Sequence, residues 1–168
     1  MRAVHVVVMG VSGCGKSAVG EELSQMLGLS LVEGDDFHPP GNIAKMRQGL
    51  ALDDTDRAGW LRELAAQLAQ RPEGAVLTCS ALKRAYRDTL RTGAPHVRFV
   101  HLALGQAQAM ERVAARSDHF YPPSLVASQF EALEDPSGEA GVLVVDATRP
   151  VEALVREAAA WLGQFNNP

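Results

Sequence analysis

The sequence predicts an α/β domain with a parallel sheet covered by helices on both faces, and three observations carry that prediction. Five short apolar runs, Val4–Met9, Leu29–Val32, Ala75–Cys79, Val97–Leu102 and Val142–Val145, read as buried strands. Segments with helical periodicity lie between them, and strands that alternate with helices pair in parallel. Finally, Gly10-Val-Ser-Gly-Cys-Gly-Lys-Ser17 spells the phosphate-binding pattern G-x-x-x-x-G-K-[ST] at the junction of the first strand and the first helix.

Taken in order, Val4–Met9 supplies the strand that feeds this loop. Val19, Leu23, Met26 and Leu27 then recur at helical spacing until Gly28 supplies a stop. The run Leu29–Val32 is the second strand. Residues 34–59 fit the alternation badly: two short polar or helical pieces carry many carboxylates. Trp60, Leu61, Leu64, Ala65 and Leu68 form a helical stripe before the third strand, and Lys83, Arg84 and Arg87 follow that strand. After the fourth strand a helix bearing Arg112 and Arg116 leads into residues 116–136, the second stretch that breaks the alternation. The fifth strand precedes a last helix with the stripe Val151, Leu154, Val155, Ala158 and Leu162, opening with Pro150 in its first turn.

The chain has 168 residues, enough for one domain that buries about 70% of its unfolded surface. With neither a repeat nor a low-complexity linker, residues 1–168 read as a single domain. No apolar run reaches the ~20 residues that span a bilayer, and the N-terminus lacks a secretory pattern, so neither a membrane partner nor export is expected. The net charge of −4, with no basic block, speaks against a nucleic-acid partner. Cys14 lies inside the phosphate loop and has no metal-ligand spacing to Cys79, which favours a reducing, cytoplasmic setting.

The loop's glycines let successive N–H groups and the helix N-terminus point at an anion. Lys16 would reach the β- and γ-phosphates of a nucleoside triphosphate, and the Ser17 hydroxyl would bind Mg²⁺. Transfer of a phosphoryl group to an alcohol also needs a carboxylate that serves the metal or the attacking hydroxyl. Asp35, just past the second strand, is the first candidate, because strand alternation puts it on the side of Leu31 and Glu33; Asp36 is the second. Arg57 sits at a helix start, where a cation opposes the helix dipole, and this suits an anionic ligand. Lys83 and Arg87 share a helical face past a strand end, a basic face with Lys83 placed to meet a negative group. Arg112 and Arg116 share a face beside the second irregular stretch, and arginine's planar fork suits phosphate. His119, alone on a loop, reads as solvated.

These segments together resemble the gluconate kinases, a family of small phosphate-loop kinases related to the shikimate, adenylylsulfate and nucleoside monophosphate kinases. The likeness covers roughly residues 5–160. It rests on the phosphate loop, Gly34-Asp-Asp-Phe-His-Pro39, Asn42 to Met46, Leu52 to Leu61, Cys79-Ser-Ala-Leu-Lys83 with Tyr86-Arg87-Asp88, Arg112, Arg116, His119 and Gln129 to Pro136. The resemblance implies a three-layer P-loop kinase fold: a five-stranded parallel sheet flanked by helices, a substrate-binding insertion at about 34–59 and a lid at about 116–136. It implies ATP- and Mg²⁺-dependent phosphorylation of D-gluconate at its 6-hydroxyl, and homodimers occur in the family. ATP would contact Gly10, Val11, Ser12, Gly13, Cys14, Gly15, Lys16, Ser17 and Ala18, with Arg112 and Arg116 approaching it. Asp35, His38, Arg57, Lys83, Arg84 and Gln129 would meet the sugar acid; Ser17 and Asp35 would serve the metal; Lys16, Asp35 and Arg116 would carry catalysis. Glu33 stands where relatives often show Asp, Asp53 where they often show Asn, and Cys14 replaces a small hydroxyl residue.

Two other readings share some of these features. A shikimate, adenylylsulfate or nucleoside monophosphate kinase would keep the loop and differ in the substrate region. A nucleotide-dependent switch protein would use Asp56-Arg-Ala-Gly59 as a D-x-x-G signature, yet that tetrapeptide follows an acidic loop and no Asn-Lys-x-Asp motif accompanies it.

Overall fold

A computed structural model describes residues 3–115 and 122–165. Its five strands are β1 (Val4–Met9), β2 (Ser30–Glu33), β3 (Gly74–Thr78), β4 (Arg98–Ala103) and β5 (Val142–Asp146). All pair in parallel in the order β2-β3-β1-β4-β5. The described helices are α1 (Lys16–Leu27), α2 (Pro40–Arg47), α3 (Asp54–Ala69), α4 (Arg84–Gly93), α5 (Gln106–Ala114), α6 (Val126–Ala132) and α7 (Val151–Gly163). The fold is therefore the α/β architecture expected, a five-stranded parallel sheet between helices.

Topology assigns each helix to a face. The β1–α1–β2 crossover runs one way along the sheet, whereas β2–α3–β3, β3–α4–β4 and the β4–β5 connection run the other. Since parallel crossovers are right-handed, α1 lies on one face and α3 and α4 on the opposite one. Accordingly α1 packs with α7, and α3 with α4. The central strands β1 and β3 are almost wholly buried between the layers.

Strand positions agree with the apolar runs, and the ends differ by a residue or two. Ser30, Glu33 and Asp146 are polar residues that complete ladders which hydrophobicity alone does not reveal. Two helix details differ. Met26 is exposed, because the buried arc of α1 runs through Val19, Gly20, Leu23 and Ser24, about a quarter turn from Met26 at its centre. Pro150 is the N-cap of α7, one position ahead of its first turn.

Residues 34–59 hold a 3₁₀ turn at Gly34–Phe37, then α2 and the start of α3. Because β2 ends at Glu33 and the chain coils at once, strand alternation cannot place Asp35 beside Leu31 and Glu33. That argument for Asp35 fails. A Cβ on Gly34 would stand 2.2 Å from the Thr78 carbonyl oxygen, so only glycine lets the turn begin this close to β3. Within residues 116–136, a 3₁₀ turn at Pro123–Leu125 leads into α6, while Arg116 and His119 lie outside the described residues.

Candidate active site

The phosphate loop leaves the carboxyl end of β1, where ligands bind in open α/β sheets. Gly15 closes it as the N-cap of α1 with φ 98°. Nothing stands within 4 Å of where its Cβ would be, so backbone conformation alone demands glycine here. With no side-chain cap, the first amides of α1 point toward whatever anion the loop cradles. The Lys16 ammonium donates to the Gly10 and Val11 carbonyls at 3.0 and 3.1 Å and lies 3.9 Å from Cys14 Sγ. Ser12 and Gly13 form the crest of the loop; Ala18 is exposed in the first turn of α1.

Ser17 donates its hydroxyl to Glu33 Oε2 at 3.2 Å, and the same oxygen accepts from Thr78 Oγ1 at 2.6 Å. The carboxylate touching Ser17 is thus Glu33, a residue that sequence reading noted only as a departure. Its position at the end of β2, across β3 from β1, was the available signal.

Asp35 lies farther out. It is exposed, yet it lines a cleft together with Lys16, Arg57 and Gln129; Asp36 does not line it. Ser12, His38, Met46, Leu52, Trp60 and Ser80 complete its wall. The His38 ring stacks on Trp60 with centroids 4.1 Å apart, and Trp60 Nε1 donates to the Gly34 carbonyl at 2.8 Å. Asn42 faces His38 Nδ1 at 3.3 Å and donates to the Asp56 carbonyl at 3.0 Å. Burial lowers the His38 pKa, Asp35 opposes this and Arg57 adds to it, so the ring is mainly neutral at pH 7.

Arg57 reaches the cleft from the first turns of α3. Asp53 and Asp56 form a capping box there, and Lys45 pairs with Asp56 at 2.6 Å. Asp56 is therefore a helix-capping residue in a role unlike that of a switch-protein signature. The Arg57 guanidinium donates to the Tyr86 hydroxyl at 3.1 Å and lies 5.5 Å from that ring's centroid. Tyr86 in turn donates to Asp54, which also pairs with Lys83 at 2.9 Å. Tyr86 and Lys83 hold the Asp54 carboxyl below the usual range, and Asp54 raises Lys83. Lys83 thus sits at the edge of the Arg57 cluster. Arg84 is exposed outside the cleft lining, and its backbone N–H donates to Glu134 Oε1 at 2.9 Å.

Arg87 overturns the picture of a solvated basic face. It is fully buried and forks onto Glu139. The signal was the helical phase of α4: Leu90 and Ala94, three and seven residues on, are both buried. Beneath the cleft, burial pushes the Cys79 thiol up to about 12, which leaves it inert at neutral pH.

From the far side, Gln129 of α6 accepts the Ser12 amide N–H at 2.6 Å. Arg112, in the last turn of α5, donates to the Gly13 carbonyl at 3.2 Å and to the Ala147 carbonyl at 3.1 Å, and so joins the phosphate loop to the turn after β5. Among the described residues no cluster of three His, Cys, Asp or Glu side chains is placed to hold a metal, and no helix is long and apolar enough to cross a membrane.

Known proteins resemble this chain in sequence and fold. A family model described as an AAA domain matches residues 6–135. The chain is 44% identical over 154 residues to the thermoresistant gluconokinase of Escherichia coli strain K12, covering 89% of this chain and 87% of that protein. A crystal structure of a gluconokinase from Sinorhizobium meliloti 1021 superposes with a TM-score of 0.89 at 47% identity, covering 98% of this chain and 95% of that one. An unliganded sugar kinase from Janibacter sp. HTCC2649 gives 0.91 at 43% identity, covering 96% and 95%. A phosphate loop facing a cleft with Asp35 and Arg57, in a chain this similar to those kinases over nearly its whole length, places the protein in the gluconokinase family.

Proposed function

We propose that the protein transfers the γ-phosphoryl group of ATP to the 6-hydroxyl of D-gluconate, giving 6-phosphogluconate and ADP. The observation that carries this reading is one cleft lined by Lys16 of the phosphate loop, Asp35, and the buried cation Arg57. A small polyhydroxy carboxylate matches it: Arg57 supplies a fixed positive charge for the carboxylate, and Asp35, His38, Ser80 and Gln129 supply hydrogen-bonding groups for hydroxyls. Lys83, paired with Asp54, would meet the sugar acid from beside the Arg57–Tyr86 cluster. Arg84 is kept as a weaker substrate contact on resemblance alone.

The loop amides and Lys16 would neutralise the β- and γ-phosphates, while Arg112 steadies the loop from behind and Arg116 carries the family's expectation of a further phosphate contact. Asp35 would orient the 6-hydroxyl and accept its proton. Rate enhancement would come mainly from alignment and charge neutralisation, alignment alone being worth roughly 7–11 kcal/mol. Residues 116–136 would act as a lid that excludes water, the competing acceptor.

Mg²⁺ fits the donor set. The Ser17 hydroxyl and Glu33 carboxylate are hard oxygen donors 3.2 Å apart beside Lys16, and Mg²⁺ in such kinases keeps few protein ligands. Ser17 would hold it with Glu33 behind, and Asp35 remains the second carboxylate within the cleft. When bound, the ion would offset the negative charge of the phosphates.

Two buried free thiols, Cys14 and Cys79, suit the reducing cytoplasm where this reaction would run. Homodimerisation, carried by the resemblance, is checked by light scattering. The decisive experiment is an ADP-release assay offering gluconate, shikimate, AMP and adenylylsulfate in turn. Gluconate is expected to dominate, and Lys16→Ala to abolish turnover; equal turnover with another acceptor would overturn the assignment.

A further inference from the structure

The loop between β3 and α4 holds the single non-glycine residue with positive φ among the described residues: Ala81, at 47°. A side chain with a Cβ is disfavoured there, so the surroundings must hold it in place. Arg87 is what holds it. Its Nη1 donates to the Ala81 carbonyl at 2.7 Å and the Leu82 carbonyl at 3.2 Å. Its Nη2 donates to the Glu134 carbonyl at 3.1 Å and to Glu139 Oε2 at 2.5 Å, and its Nε donates to Glu139 Oε1 at 3.1 Å. All five N–H donors of the guanidinium are used. Arg91 braces Glu139 from the other side at 3.1 Å.

These partners lie on two segments that both serve the cleft. Ser80 lines it, and the Ser80 carbonyl accepts the Gly10 N–H of the phosphate loop at 3.2 Å. Glu134 begins just past α6, which carries Gln129, and its N–H donates to the Leu82 carbonyl at 2.7 Å. An apolar side chain would fill the inner face of α4 without the desolvation cost of a buried ion pair, so bulk packing does not explain an arginine here.

We propose that Arg87 is a positioning residue for the sugar acid: it clamps the Ala81–Leu82 backbone against the segment after α6 and so keeps Ser80 and Lys83 aligned with the phosphate loop. The kinetic readout of this proposal rests on the gluconate kinase reading. Arg87→Lys keeps the charge and loses the fork. Its gluconate KM is expected to rise about tenfold while its ATP KM stays within about twofold, measured per folded enzyme well below the melting temperature. Adding Ala81→Gly to Arg87→Lys should recover part of the gluconate KM, because glycine accepts this φ without a clamp. A lowered melting temperature with both KM values unchanged, or an equal rise in both, would make Arg87 scaffold only and overturn the proposal. Should Arg87→Lys not fold, Glu139→Gln is expected to give the same gluconate-selective rise, and an unchanged gluconate KM there overturns it equally. A wild-type enzyme without gluconate turnover would defeat the functional reading and not the clamp. The clamp is then read by amide hydrogen exchange of residues 80–83, faster in Arg87→Lys if the proposal holds and unchanged if it does not.

Discussion

The side-chain carbonyl of Gln129 accepts the Ser12 amide N–H at 2.6 Å, so α6 touches the loop that would bind phosphate. Gln129→Glu would place a carboxylate against those amides, where it repels the triphosphate. We expect ATP KM to rise at least about tenfold in that variant, and Gln129→Ala to lose roughly the value of one hydrogen bond, about 1 kcal/mol, in kcat/KM. Steady-state kinetics with each substrate varied tests this. ATP affinity in Gln129→Glu equal to that of the native chain would show that the Ser12 contact does not bear on nucleotide binding and leave Gln129 as a substrate residue alone.

On the proposed reading, Glu33 and Asp35 would divide the acidic work. Glu33→Gln is expected to raise the Mg²⁺ concentration needed for half-maximal rate while sparing gluconate KM, because Glu33 meets Ser17. Asp35→Asn is expected to lower kcat by about 10²-fold or more, the scale of losing a general base, with a smaller change in KM. Magnesium titrations of both variants decide, and a loss confined to gluconate KM in Asp35→Asn would move that residue from chemistry to binding.

Tyr86 orients Arg57 through its hydroxyl at 3.1 Å. Tyr86→Phe removes that acceptor and the donor to Asp54, so gluconate KM should rise about three- to tenfold with kcat nearly kept. Arg57→Ala should raise it further. A Tyr86→Phe enzyme with native KM would show that stacking alone steers the guanidinium.

His101 on β4 is buried with Nδ1 unpartnered among the described residues. Burial lowers its pKa from the ordinary 6.5; Asp135 opposes this, while Arg87 and Lys16 add to it. The unfolded chain therefore binds the proton first. His101's contribution is intact above about pH 6.5 and is lost as pH falls from there through the lower folded value. Melting temperatures between pH 7.5 and 5.5 should fall less steeply in His101→Leu than in the native chain. Parallel curves would assign the acid sensitivity elsewhere.

The sheet was legible because β1, β3 and β4 are largely buried on both faces and their sequences are mostly apolar, broken only by His5, Thr78, Arg98 and His101. The phosphate loop was legible because its spacing is local. Arg57 was reachable from its place at a helix start and Gln129 through the family likeness, but their partners were not: Tyr86 lies 29 residues from Arg57 and Ser12 lies 117 from Gln129. Arg87 was misread for the same reason, since the acid that buries it stands 52 residues away. Asp35 was argued from a strand period that stops at Glu33. Local periodicity identifies elements; pairing across the chain decides which charged residue turns inward.

One bond joins the two halves of the cleft floor: Gly10 N–H to the Ser80 carbonyl, a rung of the β1–β3 ladder beyond its strand ends. On the proposed reading, nucleotide and acceptor would then be seated on adjacent strands, whose spacing of about 4.8 Å is a fixed dimension of the sheet. Accommodating an acid one carbon longer or shorter would have to come from recutting the far wall at Met46 and Leu52, because the floor does not stretch.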